Sequence, residues 1–341
     1  MSRKMASIRI IDKISPIENA DRIELVTVDG WGVVAGKGSY KEGQKVIFCE
    51  IDSAIPVPDL DPDGSLAKRG TKKIDGKDYH IVRTVKLRGV YSQGLLLPLK
   101  HLKLWRRWTV KPGDDVSELL GIFKYDPFAK RATGKSVPNR DANLVGAFPT
   151  EFARKSDSER VQNLVKHWGE ITEREWYVTE KLDGQSITLI NDGGKLRVAT
   201  RNYEVKDHPA REWAISNGFL RVIPDGVAVQ GEWIGPGVNG NTLKLDGHDF
   251  LAFNVFQNGE LLDGWPEWAF ERRVPHYGVR LFDGESIDDL IREYDGVKSI
   301  YRPGQLAEGV VFHELNSEPV PALGGRTTFK VISNKWLVKN S

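Results

Sequence analysis

Lysine and aspartate stand two positions apart before a glycine at Lys181-Leu182-Asp183-Gly184, between two apolar runs typical of strands. A lysine amine is a nucleophile only when deprotonated, and a free lysine with a pKa of ~10.4 is almost wholly protonated at neutral pH. Burial or a nearby cation lowers that pKa, and a pocket at a strand-to-turn junction can supply either. The pattern therefore predicts a covalent lysine nucleophile with a depressed pKa. By itself it is weak, since K-x-D-G occurs by chance in roughly one unrelated chain of this length in ten.

Two carboxylates and a second lysine follow, each inside a strand-like run. Glu232 interrupts an apolar stretch, Glu308 precedes another, and Lys330 lies in a run near the end of the chain. Carboxylates bind hard cations and ribose hydroxyls, and lysines bind phosphates. This set suits ATP bound together with a divalent metal, either Mg²⁺ or Mn²⁺, because both ions accept the same oxygen ligands.

An aromatic strand is predicted at 249–256, and it offers a face on which a nucleotide base can stack. Strict alternation would place Phe253 and Val255 on one face and Phe250 and Phe256 on the other. Only the first face needs to meet a nucleotide.

The elements that must position these residues are mostly strands. A hairpin is predicted from 186 to 200 with its turn at Asn191-Asp192-Gly193-Gly194, and its second strand leads to Arg201. A helix is predicted to start at Ser156 or Asp157, with Val161, Leu164, Val165 and Trp168 along one apolar face. The G-x-G-x-x-G run at 235–240 continues into turn residues rather than a helix, which argues against a dinucleotide site.

Six motifs occur in order between about 176 and 337: EKLDG, TRNYE, QGEW, DFLAFNVF, AEGVVF and FKVISNKW. The set resembles the covalent nucleotidyltransferase superfamily of polynucleotide ligases and mRNA capping enzymes. It is most similar to the ATP-dependent RNA ligases that carry an OB module in front of the transferase domain. DNA ligases and capping enzymes place an OB domain after the core, whereas only eleven residues follow Lys330 here.

The resemblance implies a set of roles. Lys181 would attack the α-phosphate of ATP to form lysyl-AMP, Glu180 and Phe253 would hold adenine, and Glu232 and Glu308 would bind ribose or metal. The implied catalytic residues are Lys181, Asp183, Glu232, Glu308 and Lys330. The implied ATP-binding residues are Thr179, Glu180, Lys181, Arg201, Glu232, Phe253, Glu308, Lys330 and Lys335. The implied nucleic-acid contacts are Lys86, Arg88 and Ser186.

By the same resemblance, AMP would pass from the lysine to a 5′-phosphate, which a 3′-hydroxyl would then seal. The expected partner is a nicked duplex with an RNA 3′-OH end on an RNA or DNA template, as in RNA repair. Two alternatives remain: another covalent nucleotidyltransferase, either a DNA ligase or a capping guanylyltransferase, and a non-catalytic nucleic-acid-binding protein.

Three positions depart from the pattern of the family. Ile332 replaces the second of two closing lysines, for which Lys335 is a candidate substitute. Asn254 stands where aspartate is common, and Ser186 stands where arginine or asparagine is common. None of these changes removes the nucleophile.

The expected fold class is α+β, with an OB-like β-barrel at 1–125, a linker at 126–155 and an antiparallel-sheet adenylyltransferase domain at 156–341. Short strands broken by glycine predict the barrel. Within it, Lys86 and Arg88 would contact phosphate and Tyr91 would stack on a base. Residues 56–80, rich in Asp, Pro and Gly, are predicted to be an exposed loop.

Composition sets further bounds. The net charge is only +2, but residues 86–140 carry 12 Lys or Arg and 4 Asp or Glu, which favours a phosphate-binding surface. The chain lacks an apolar signal at its start, a membrane-length apolar run and a metal-binding C-x-x-C or H-E-x-x-H pattern. Its single cysteine, Cys49, excludes an internal disulfide and is expected in the core. We therefore expect an intracellular protein without a membrane partner. We also expect a monomer, although composition does not bear on oligomeric state.

Overall fold

The computed structural model describes residues 4–61, 64–103, 107, 109–125 and 143–340. The chain divides into two compact units, Met1–Val137 and Pro138–Asn340. Residues 126–142 of the predicted linker lie outside the described residues. Its later part contains Leu144–Ala147, which is a strand of the second unit.

The first unit consists of short strands in small sheets. The strands are β1 (Ala6–Ile10), β2 (Lys13–Pro16), β3 (Ile23–Val28), β4 (Trp31–Gly36), β5 (Lys45–Cys49), β6 (Ser53–Val57), β7 (Lys72–Ile74), β8 (Lys77–Ile81), β9 (Thr84–Leu87), β10 (Val90–Gln93), β11 (Leu95–Leu97) and β12 (Phe123–Lys124). Short 3₁₀ helices span Ala67–Arg69, Leu99–His101 and Glu118–Leu120. The sheet orders are β1-β5-β11, β2-β3-β4, β9-β10 and β12-β6-β8-β7, and the pairs are antiparallel.

Tight turns that contain glycine join several of these strands. Asp29 and Gly30 both have positive φ, at 44° and 79°, and join β3 to β4 in the two-residue hairpin that Asp-Gly favours. Val26 and Val28 alternate into a core that also contains Trp31 and Phe48. Cys49 is fully buried, as predicted.

The exposed loop predicted at 56–80 is wrong in its second half, which contains β7 and most of β8. Asp75 and Gly76 have φ of 48° and 82° and form the turn between these strands. Ile74, at the end of β7, is buried. The Asp-Gly hairpin signal thus outweighs the polar composition around it.

The second unit contains two large sheets. The strands are β13 (Leu144–Ala147), β14 (Glu159–Arg160), β15 (Trp176–Lys181), β16 (Gln185–Asp192), β17 (Lys195–Thr200), β18 (Tyr203–Val205), β19 (Val227–Ile234), β20 (Asp249–Gln257), β21 (Glu260–Leu261), β22 (His276–Arg280), β23 (Gly309–Glu314) and β24 (Thr328–Ile332). One sheet has the order β13-β18-β17-β16-β19-β20-β21 and the other β14-β24-β23-β15-β22. Of these pairs only β14–β24 is parallel among the described residues, so the expected α+β class with an antiparallel-sheet domain is confirmed.

Helices cover the two sheets. They are α1 (Trp168–Thr172), α2 (Pro209–Ser216), α3 (Phe219–Val222), α4 (Ile287–Glu293) and α5 (Asn334–Asn340), with 3₁₀ helices at Val161–His167, Glu267–Arg272 and Pro321–Leu323. Helices α2 and α3 pack on a core with Phe250, and α4 packs on a core with Trp176 and Phe312. Within the described residues, no helix combines the length and the apolar character that crossing a membrane requires.

The helix predicted from Ser156 begins later, at Val161, and its first seven residues are 3₁₀. Val161 and Leu164 are buried, whereas Val165 is 43% exposed. A 3₁₀ helix has three residues per turn, so i and i+3 share a face and i+4 rotates away from it. The predicted apolar face therefore loses Val165.

Candidate active site

The predicted nucleophile stands where the chain passes from one sheet of the second unit to the other. Lys181 ends β15 opposite Gly309 of β23, and after the turn Leu182–Gly184 the chain enters β16 of the larger sheet. The turn is tight, because a Cβ on Gly184 would lie 2.4 Å from the carbonyl oxygen of Trp233. Only glycine fits this close approach of two backbones.

Carboxylates surround the amine of Lys181. Its Nζ donates a hydrogen bond to Glu308 Oε2 at 2.5 Å, and the lysine side chain is 24% exposed. Burial acts to lower the pKa of Lys181, but Glu308, Glu232 and Asp183 act against it and the pKa is raised. The predicted depressed pKa is therefore wrong, because the pattern Lys-x-Asp-Gly alone does not show the two glutamates that reach the amine.

Glu232 is the most strongly perturbed of these carboxyls. Burial, together with the nearby charges of Glu308 and Asp183, raises its pKa to about 8, although Lys181 acts in the opposite direction. A buried carboxyl with such a pKa is destabilised in its charged form and is stabilised by an added cation. Glu232 lies on β19, opposite Ser186 of β16.

A divalent cation at this site would take only some of its ligands from these side chains. Among the described residues, no group of three or more His, Cys, Asp or Glu side chains is arranged to hold a metal ion. Glu232 and Glu308 nevertheless place two hard oxygen donors next to Lys181. Mg²⁺ commonly binds through one or two carboxylates, with phosphate oxygens and water as the other ligands.

A cavity of about 360 Å³ opens beside Lys181 between strands of the two sheets. Its lining contains most of the predicted site residues, namely Thr179, Glu180, Lys181, Ser186, Arg201, Glu232, Phe253 and Lys330. Its size lies at the lower end of the range for small-molecule sites.

Phe253 reaches the cavity through a β-bulge in β20. Gln230 pairs with Asn254 and Gly231 pairs with Ala252, so Phe253 has no partner in the register between them. The bulge reverses the alternation, and the predicted faces are therefore wrong: Phe250 and Val255 share one core, whereas Phe256 packs in another. Bulges commonly re-aim a side chain next to an active site.

Lys330 provides a second amine in the cavity. It lies on β24 opposite Val311, and burial, Lys181 and Arg160 together lower its pKa to about 7. Arg160 is its register partner in the parallel pair β14–β24. Two cations brought together in this way favour an anion between them.

Arg201 follows β17 and forms an ion pair with Asp157 at 3.0 Å, with its own side chain 52% exposed. Asp157 and its neighbours Ser156 and Ser158 also line the cavity. Sequence reasoning assigned these three residues to the start of a helix and missed them as site residues.

Glu180 lines the cavity, but its carboxylate does not face it. Glu180 is 2% exposed, and its carboxylate accepts hydrogen bonds from Ser299 Oγ at 2.5 Å, Ile300 N at 2.8 Å and Tyr301 N at 3.0 Å. Side chains alternate along a strand, so Glu180 points away from the face that carries Lys181. A nucleotide in the cavity would therefore meet the backbone of Glu180 and not its carboxylate.

Five predicted residues are not among those that line the cavity, and two of them, Asp183 and Glu308, interact with Lys181. The other three are Lys335, Lys86 and Arg88. Lys335 is on α5, 59% exposed, and its Nζ contacts the carbonyl oxygen of Asp295 at 3.3 Å. Lys86 and Arg88 belong to the first unit, where Lys86 Nζ lies 5.1 Å from the ring centre of Tyr91. Their contact with nucleic acid remains a prediction.

His313 is a cavity residue that sequence reasoning missed. Its Nε2 lies 3.0 Å from Thr179 Oγ1, and burial lowers its pKa to about 4, so the ring is neutral. The signal was the alternation along β23, which places His313 on the face of Val311. Both line the cavity.

Comparisons with known proteins agree with this architecture. The model of an OB-fold domain matches residues 5–99, and the model of the RNA ligase family matches residues 174–332. The OB-like module expected at the N-terminal end is thereby confirmed. No curated protein matches the chain.

Solved structures of a Naegleria gruberi RNA ligase match over nearly the whole chain. A lysine-to-methionine variant with AMP and Mn is 32% identical, with a TM-score of 0.80 and coverage of 99% of both chains. A lysine-to-alanine variant with ATP and Mn is 31% identical, with a TM-score of 0.80 and coverage of 98% of this chain and 99% of the other. The structure with PPi is 32% identical, with a TM-score of 0.79 and coverage of 99% of both chains.

Proposed function

The chain belongs to the RNA ligase family, and from that premise we propose that it is an ATP-dependent RNA ligase acting through a lysyl-AMP intermediate on Lys181. The observation that carries the proposal is the position of Lys181 in the cavity, with its Nζ 2.5 Å from Glu308. A lysine that must lose a proton before attack needs an acceptor within hydrogen-bond reach. Glu308 meets that condition.

In the first step Lys181 Nζ attacks the α-phosphorus of ATP. One proton of the Lys181 ammonium passes to Glu308, and the free amine then forms the N–P bond. The P–O bond to the β-phosphate breaks, pyrophosphate leaves, and the second amine proton passes to solvent. Lys330 and Arg160 supply positive charge for the phosphates, where preorganised cations stabilise the charge that develops during transfer. Glu232 and Glu308 would hold Mg²⁺ or Mn²⁺, which when bound neutralises phosphate charge and weakens the hold of the carboxylates on the amine.

The apolar part of the cavity suits adenine. Phe253, Val274 and Val311 line it, and Phe253 would stack on the base. The neutral His313, hydrogen-bonded to Thr179, offers a polar contact at the same face of the sheet. Two of the matched Naegleria structures are with AMP or ATP and Mn, which supports the choice of nucleotide and metal.

Two further steps complete the proposed reaction. AMP passes from Lys181 to an RNA 5′-phosphate, which forms a P–O bond and breaks the N–P bond. A 3′-hydroxyl then attacks the activated phosphate and AMP leaves. Arg201 is half exposed next to the cavity and is placed to meet an incoming 5′-phosphate. We propose a nicked duplex with an RNA 3′-OH strand as the substrate, with an RNA or DNA template.

The test is to incubate the protein with ATP and Mg²⁺ or Mn²⁺ and to map the added mass by peptide mass spectrometry. We expect one AMP on Lys181, no adduct in Lys181→Ala, and sealing of nicked duplexes that have a ribose at the 3′-OH end. GTP in place of ATP serves as the control for a capping guanylyltransferase. A folded protein that acquires no AMP would refute the proposal.

A further inference from the structure

The glycine-rich connection between β19 and β20 contacts the turn that follows the nucleophile. Asn239 Nδ2 donates hydrogen bonds to Asp183 Oδ1 at 3.2 Å and to the carbonyl oxygen of Gly184 at 2.6 Å. Thr242 Oγ1 donates to the other oxygen, Asp183 Oδ2, at 2.9 Å. Both oxygens of the carboxylate are therefore fixed by one segment of chain, which also contains the G-x-G-x-x-G run that forms no dinucleotide site.

The connection has its own internal support. Asn241 Nδ2 donates to the carbonyl oxygen of Leu245 at 2.9 Å, and Leu245 N donates back to Asn241 Oδ1 at 3.0 Å. Asn239 and Asn241 both have left-handed backbone conformations, with φ of 42° and 49°. Asparagine tolerates this region better than most residues. The connection is thus a defined structure that presents two donors to Asp183.

We propose that Asn239 and Thr242 are positioning residues for lysyl-AMP formation, acting through Asp183 on the Lys181 turn. This inference rests on the proposed role of Lys181 as nucleophile. Asp183 and Lys181 are close enough to interact electrostatically, and the charge of Glu308 also acts on the carboxyl of Asp183. A carboxylate in this group affects the amine by its distance and orientation, and both depend on the two donors.

Physical reasons favour a role beyond holding the connection in place. Asp183 is a partly buried carboxylate, and neutral donors on both oxygens stabilise its charged form against the cost of burial. The amide of Asn239 also satisfies the Gly184 carbonyl, next to the point where the two backbones approach most closely. Small displacements at such a turn move the nucleophile, and reaction rates fall steeply with misplacement of about 1 Å.

The experiment compares Asn239→Ala, Thr242→Val and Thr242→Ser with the matched control Asn241→Ala. Asn241 lies in the same connection, and the described hydrogen bonds of its side chain go only to Leu245. Single-turnover rates of AMP addition and the Kd for ATP are measured for each variant, alongside the thermal midpoint. We expect Asn239→Ala and Thr242→Val to lower the rate about tenfold or more with a Kd within about twofold of wild type. Thr242→Ser should retain the wild-type rate, since its hydroxyl can still donate.

Two results would overturn the positioning role. One is a wild-type rate in both Asn239→Ala and Thr242→Val. The other is a loss in Asn241→Ala equal to theirs and proportional to the fall in thermal midpoint, which would mean that the connection matters only for folding. Failure of the wild-type protein to acquire AMP is a different outcome, which refutes the proposed function and this inference together.

Discussion

Lys181 Nζ and Glu308 Oε2 lie 2.5 Å apart, although the two residues are 127 positions apart in the chain. The pair joins the end of β15 to the residue that precedes β23, and the two strands are neighbours in one sheet. The carboxylate of Glu308 favours the protonated form of the Lys181 amine. The same carboxylate is the base nearest to the proton that must leave. Glu308 therefore stabilises the unreactive protonated form of Lys181 and also provides the acceptor that the reaction needs.

Glu308→Gln separates these two effects. Removal of a negative neighbour lowers the pKa of Lys181, so the rise of the adenylylation rate with pH should move to lower pH. The maximum rate should nevertheless fall about a hundredfold or more, because the proton acceptor and a metal ligand are both lost. A pH–rate profile of lysyl-AMP formation measures both changes. An unchanged maximum rate would show that Glu308 is not the acceptor.

Lys330 should make ATP binding depend on proton uptake. Its pKa of about 7 means that it is mostly neutral at pH 8 and mostly charged at pH 6. A bound phosphate favours the charged form of Lys330 and raises its pKa. ATP binding should therefore take up about one proton at pH 8 and a much smaller fraction of a proton at pH 6. Calorimetry in buffers of different ionisation enthalpy measures the uptake. Lys330→Arg should abolish it, because the guanidinium is always charged. Equal uptake in that variant would assign the proton to another group.

Glu180→Gln tests the structural role of the residue beside the nucleophile. An amide cannot accept all the hydrogen bonds that Ser299, Ile300 and Tyr301 donate, so we expect the free energy of unfolding to fall by about 1–3 kcal/mol. Urea unfolding measures the loss. AMP addition to the folded variant should stay near the wild-type rate. A large loss of AMP addition at unchanged stability would return Glu180 to the nucleotide site.

Phe253→Ala should weaken ATP binding through the loss of a stacking surface. Stacking of a base on an aromatic side chain contributes about 1–3 kcal/mol, which corresponds to a Kd raised about five- to 150-fold. Phe253→Tyr keeps the ring and is the control, with a Kd expected near that of wild type. Fluorescence or calorimetric titration with ATP measures both. Equal affinities for all three proteins would remove Phe253 from the base site.

The sequence carries enough information to predict much of this site, because spacing and alternation are local properties. Strand alternation places Thr179 and Lys181 on one face of β15, and the register through Val311 of β23 puts Lys330 of β24 on the same face of the sheet. Ordered motifs then identify Glu232 and Arg201 as neighbours in space, and both line the cavity with Lys181 and Lys330.

Other features depend on tertiary contacts and escape such reasoning. The bulge at Phe253 lies where Gly231 approaches β20 closely, since a Cβ on Gly231 would lie 2.5 Å from the carbonyl oxygen of Leu251. Lys335 lies within the last motif by sequence, yet α5 directs it to Asp295. The raised pKa of Lys181 is set mainly by Glu308 and Glu232, which are distant in sequence. No local pattern shows these distances.

Adjacent side chains of β15 have opposite environments: one amine opens to solvent in the cavity, and one carboxylate is enclosed by protein. A shift of this strand by a single residue would exchange them, since each step along a strand reverses the direction of the side chain. Such a slip would leave a lysine in the interior and an unpaired acid among the phosphates. The strand therefore has one chemically acceptable alignment with its neighbours. Single-residue insertions or deletions between Trp176 and Lys181 should be far more harmful than point substitutions there.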